Sequence, residues 1–137
     1  QVLYDLCRTA DAIFDNFRPG VIERLELDHA NLARFNPTLI SVSLSAFGRR
    51  GPWAKRPGYD LIVQALGGGM SITGHPNTGP AHIPFHLGDT AGGLYSVVAI
   101  LAAILQARST GKGRADEVSM LDAQISLLLR NLCAKFQ

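Results

Sequence analysis

Asp89 stands in Gly88-Asp89-Thr90-Ala91-Gly92-Gly93-Leu94-Tyr95, directly before the longest uncharged apolar run of the chain. A carboxylate at the first turn of an apolar helix meets free N–H groups and partial positive charge. Both keep it ionised without a basic partner. An ionised carboxylate in a partly dry site is a candidate covalent nucleophile. Asp is also a favoured helix cap, and the local sequence leaves both roles open.

A second constellation is Asn16-Phe17-Arg18-Pro19-Gly20, followed by Arg24. Pro19 is expected at the first position of a helix, where its missing N–H costs nothing. Arg24 and that helix N-terminus suit a phosphate or pyrophosphate, although an Arg one turn into a helix is commonly a solvated charge. Phe17 can pack an adenine ring or fill core. Gly67-Gly68-Gly69 follows a helical stretch and precedes no Gly-Lys-Ser/Thr, so it is neither a P-loop nor a dinucleotide fingerprint. Its glycines can present N–H groups to an oxyanion or simply stop a helix. His75, His82 and His86 fit no zinc spacing, and no metal is expected. Arg49, Arg50, Lys55 and Arg56, with Trp53, form a basic loop. It is thin for nucleic acid but suits the phosphates of a nucleotide-bearing ligand. Cys7 and Cys133 lack a paired His and read as core thiols.

These residues need elements to hold them. Val2 to Thr9 reads as a helix and Ala12 to Phe17 as a short strand running into a loop. Asp28 caps a short helix that buries Leu32 and Phe35 and ends at Asn36-Pro37. Leu39 to Leu44 is the clearest strand. A loop from Ala46 to Gly58 precedes a helix from Tyr59 to Leu66. A second loop, His75 to Pro84, precedes the long helix from Asp89 to about Arg108. After the turn Thr110-Gly111-Lys112-Gly113 come a strand, Arg114 to Ser119, and a helix, Met120 to Asn131. Strands alternating with helices imply an α/β fold with a mostly parallel sheet, in which sites lie at the carboxyl ends of strands.

With 137 residues, 47% apolar and 18% charged, the chain is at most one soluble globular domain with a large core. A net charge of +2 does not point to nucleic acid. Two distant cysteines form no disulfide framework, so a cytoplasmic setting is expected. Ala91 to Ala107, about 17 uncharged residues, sits at the lower edge of a membrane span. It is expected instead to be a helix buried on all sides in protein.

The segments together resemble the family III CoA-transferases, the CaiB/BaiF type. The matching motifs are Asp15-Asn16-Phe17-Arg18-Pro19-Gly20, Asn36-Pro37-Thr38-Leu39-Ile40, Ser43-Leu44-Ser45-Ala46-Phe47-Gly48, Arg56-Pro57-Gly58-Tyr59-Asp60, Ser71-Ile72-Thr73-Gly74, Gly88-Asp89-Thr90-Ala91-Gly92 and Thr110-Gly111-Lys112-Gly113. Ala46 departs from the Gly of many members. The resemblance implies that Asp89 is the catalytic nucleophile. It implies CoA contacts at Asn16, Phe17 and Arg24, an active-site role for Tyr59, and a flexible segment near the thioester at Gly67 to Gly69. It further implies that CoA is a substrate with no tightly bound cofactor. The partners are then an acyl-CoA and a small carboxylic acid, without nucleic acid or membrane, in an interlocked homodimer when the chain is full length.

Tyr59 separates two branches of the resemblance. The α-methylacyl-CoA racemases carry His-Asp where this chain has Tyr59-Asp60, and a phenol with pKa ~10 is a poor base near neutrality. CoA transfer is therefore expected over epimerisation. A catalytically silent CoA-binding fragment is the third reading. The oxalate-using formyl-CoA transferases carry Lys where Pro57 stands, so oxalate is not assigned as acceptor. Residues 1–137 are expected to be part of the large domain, with N- and C-terminal parts absent, and to be inactive alone.

Overall fold

The apolar, β-branched run after Asn36-Pro37 forms the central strand. In the computed structural model, which describes residues 2–134, β1 (Ala12–Asp15), β2 (Ile40–Ser45) and β3 (Arg114–Ser119) make a parallel sheet in the order β1-β2-β3. Ala12 to Asp15 pair with Ile40 to Ser43, and all six residues of β2 pair with β3, from Ile40 with Arg114 to Ser45 with Ser119. The helices are α1 (Val2–Cys7), α2 (Val21–Arg24), α3 (His29–Leu32), α4 (Asp60–Leu66), α5 (Leu87–Thr110), α6 (Met120–Leu127) and α7 (Leu129–Ala134). The α/β class and parallel sheet are those expected from the alternation.

Alternate residues of a strand point to opposite faces, so Ile40, Val42 and Leu44 share one face of β2 and serve two neighbouring clusters along it. Ile40 and Val42 pack on Ala103 and Ala107 of α5, and Leu44 packs with Val63 and Met120. A separate cluster of Cys7, Leu32 and Leu39 takes in Ile13 and Leu27. Asp28 caps α3 as expected, accepting from the N–H groups of Ala30 and Asn31.

Helix α5 departs from expectation. Its buried residues are Gly88, Ala91, Gly92, Ser96, Ala103 and Ala107, while Leu94, Val98, Leu101 and Leu105 are exposed. By length and composition it can cross a bilayer, yet its small residues pack on the sheet. Small size is what brings the backbones close. A Cβ on Gly92 would sit 2.8 Å from Leu44 Cδ1, and one on Gly88 would sit 3.0 Å from Val63 Cγ1. The helix is thus buried on one face, and its large side chains form an apolar surface on the other.

Several boundaries also move. Pro19 is not the first helical residue, because Gly20, with φ 89°, caps a helix that begins at Val21. The first strand stops at Asp15, and the last helix breaks at Leu128 into α6 and α7. Cys7 is buried, and burial pushes its thiol up, but Cys133 is exposed and not a core thiol.

The turn into β3 depends on a close approach. A Cβ on Gly113 would lie 2.1 Å from the Leu39 carbonyl oxygen, which is backbone and cannot rotate away. Gly113→Ala is expected to cost about 3 kcal/mol, read as a lowered urea midpoint. An unchanged midpoint would show that the turn relaxes freely.

Candidate active site

All three parallel strands end on one edge of the sheet, and a cleft of about 230 Å³ opens there. Asn16, Phe17 and Arg18 follow β1, Ala46 follows β2 and Met120 follows β3. Arg56 and Tyr59 reach the same cleft from the loop before α4, and Asp89 reaches it from α5. This is where an open α/β sheet binds ligands, because loops diverge and leave a crevice beyond the strand ends.

Asp89 is not the cap of its helix. Helix α5 starts at Leu87, with His86 at the N-cap, so Asp89 is its third residue. The capping is done by Asp60, 3% exposed, from the first turn of α4. Its Oδ1 accepts from the N–H groups of Gly88 (2.7 Å) and Asp89 (3.3 Å). Its Oδ2 accepts from Gln64 Nε2 at 2.6 Å. Gln64, one turn further along α4, also donates to the Phe85 carbonyl and accepts from the Ile83 N–H, both at 2.9 Å. The approach to α5 is therefore tied to α4 through side chains alone. Asp60 spends the free N–H groups of the helix terminus and leaves the Asp89 carboxylate free for chemistry.

The same arrangement sets the charge balance. Partial burial and the nearby Asp60 carboxylate push Asp89 above the ordinary carboxylate range, and His86 pulls it back. Asp89 itself is exposed at the cleft, so solvent screens this shift. His86 Nδ1 lies 3.5 Å from Asp60 Oδ2. Asp60, His86 and Asp89 bring three ligand atoms within 4.8 Å of one another, a grouping the histidine spacing did not suggest. A metal would have to compete for Asp60 with three N–H donors.

Of the residues singled out from the sequence, Asn16, Phe17, Tyr59 and Asp89 share the cleft. Asn16 also pins its loop, its Nδ2 donating to the Leu44 carbonyl at 2.8 Å. Phe17 is half exposed. Arg24 does not line the cleft: it is the last, exposed residue of the four-residue α2. Arg18 and Arg56 stand at the cleft instead, and Arg56 lies over the Trp53 ring at 5.4 Å. The rest of the basic loop is partly neutralised, since Arg49 pairs with Glu23 and Arg50 with Glu117. Gly67 to Gly69 are also outside the cleft. Gly67 and Gly69 are buried against Gln124, where a Cβ on either would come within 3 Å of its amide. The sequence reading gave no role to Asp60, Gln64 or Arg18. The acid directly after Tyr59, followed by an amide one turn later, was the available signal.

The chain belongs to the CoA-transferase family III, whose family model matches residues 1–137. It is 41% identical over 128 residues to an acetyl-CoA:oxalate CoA-transferase of Acetobacter aceti, a match covering 93% of this chain and 33% of that protein. It is also 41% identical over 123 residues to a succinate–glutarate CoA-transferase of Agrobacterium fabrum, covering 90% of this chain and 31% of that protein. Among solved structures, a CaiB/BaiF family protein from Brucella suis superposes with a TM-score of 0.92 at 35% identity, over 99% of this chain and 37% of that one. The chain spans about a third of the length of these relatives.

Proposed function

We propose that the protein to which this chain contributes transfers CoA from an acyl-CoA to a small carboxylic acid, with Asp89 as the covalent nucleophile. The observation that carries this reading is the Asp89 carboxylate exposed at the strand-end cleft, with Asp60 taking the capping of its helix. The Asp89 oxygen bonds to the acyl carbon as the carbon–sulfur bond breaks, giving a mixed anhydride and CoA thiolate. The thiolate then attacks the Asp89 carbonyl, forming an aspartyl thioester and releasing the donor acid. An acceptor carboxylate attacks that thioester, CoA leaves as thiolate, and the thiolate takes the acceptor acyl group from the new anhydride. Asp89 is regenerated and no proton is consumed.

Arg18 and Arg56 line the cleft and are read as the cations that meet the phosphates of CoA, with Phe17 offering a face for its adenine. Tyr59, a phenol 63% exposed at the cleft, does not favour epimerisation. The complete protein is read as a homodimer in which the apolar face of α5 is covered. The test is intact-mass analysis of the complete protein with acetyl-CoA and succinyl-CoA. An adduct that hydroxylamine removes and that maps to Asp89 supports the reading, and an adduct on another residue overturns it. A screen of mono- and dicarboxylates then identifies the acceptor. Residues 1–137 alone are expected to show no transfer, and measurable turnover by them would contradict that.

A further inference from the structure

A reaction at Asp89 must bring a second carboxylate into acidic surroundings. Asp89 and the buried Asp60 offer oxygens within 4.8 Å of one another and of a His86 ring nitrogen. An incoming anion is repelled by both carboxylates, and transfer of CoA to Asp89 removes only one of those charges. His86 is the group in this cluster able to offer an incoming anion a hydrogen-bond donor. Its side chain is 76% exposed and makes no capping hydrogen bond to α5, although its carbonyl accepts from the Thr90 N–H at 2.9 Å. Its Nδ1 faces Asp60 Oδ2 at 3.5 Å. Nε2 has no hydrogen-bond partner among the described residues. In the charged ring both nitrogens carry N–H, so one is spent on Asp60 and the other is left for a ligand. The titratable groups facing the ring are Asp60 from α4 and Asp89 from α5.

We propose that His86 binds the acceptor acid: held by Asp60 through Nδ1, it offers its Nε2–H to the carboxylate that attacks the Asp89 thioester. This rests on the transfer reading above. The acid's oxygen bonds to the Asp89 carbonyl carbon as the carbon–sulfur bond breaks and CoA leaves as thiolate. No proton moves, so His86 contributes a hydrogen bond and position. The donor acid leaves by the reverse of the same contact.

The experiment uses the complete protein and needs no knowledge of the natural acceptor. Exchange of 13C-labelled succinate into succinyl-CoA, and of labelled acetate into acetyl-CoA, makes the donor's own acid the probe. His86→Ala is expected to raise the KM for the free acid about tenfold, the size of one lost charge-assisted hydrogen bond. The KM for acyl-CoA should rise much less than that for the acid, and the Asp89 adduct should still form. His86→Lys, which keeps a cation there, is expected to recover most of the loss. An adduct with an unchanged KM for the acid overturns this inference alone, as does an equal rise in both KM values. Absence of any adduct on the unsubstituted protein overturns the Asp89 reading, and this inference with it.

Discussion

Asp89→Asn in the complete protein is expected to lower CoA transfer by about 10⁴-fold or more, because the amide cannot form either the anhydride or the thioester. The side chain keeps its size, so the fold should survive. The same variant is expected to be more stable than the parent at neutral pH. Asp89 has its affinity for protons raised by burial and by Asp60. The folded state therefore binds a proton more readily than the unfolded chain, and ionising Asp89 costs stability. That cost is present at neutral pH, fades as pH falls through the raised folded value, and is gone below about pH 4, where both states are protonated. Melting temperatures of parent and variant should thus converge on acidification. Retained transfer would remove Asp89 from the nucleophile role. A variant less stable than the parent at pH 7 would contradict the charge balance described for the site.

Asp60→Ala is expected to cost about 3 kcal/mol, read by urea denaturation, by stranding buried N–H donors that now share one carboxylate. Amide exchange should quicken at Gly88 and Asp89, whose N–H groups bond Asp60 directly. It should change little in β2, whose hydrogen bonds lie in the sheet. Asp60→Asn is the sharper variant. Its amide would meet Gln64 Nε2 donor to donor, and Gln64 cannot simply turn round. Its Oε1 is engaged by the Ile83 N–H and its Nε2 by the Phe85 carbonyl. A loss of about 1–2 kcal/mol is expected. Unchanged stability and exchange in both variants would mean that solvent caps the helix equally well.

Much of the framework is legible in local sequence. The strand pattern at residues 39–44 and 114–119, the Asp28 cap and the turn at Gly111 follow from near-neighbour chemistry: β-branching, a short oxygen-bearing side chain, and a residue that tolerates φ 70°. The shared position of Asn16, Phe17, Tyr59 and Asp89 was legible only through the family motifs, because residues so far apart meet only once the sheet has formed. Arg24 ends a helix that starts at Val21 and not at Pro19, because Gly20 in the left-handed region delays the start by two residues. The apolar run in α5 read as uniformly buried because composition does not say which side of a helix meets the sheet. The small residues won that side because close packing selects for size as well as for apolarity.

The sequence by itself determined the α/β alternation, the parallel strands and the acidic residue at the head of an apolar helix. Those features depend on residues a few positions apart. Only the tertiary structure decided what Asp89 does there. Its helix is capped by a carboxylate from another helix, and its proton affinity is raised by partial burial and by Asp60 and lowered by His86. Asp60 is separated from Asp89 by 29 positions, so hydrogen bonding and Coulomb interaction between them require packing to bring the two helix ends together.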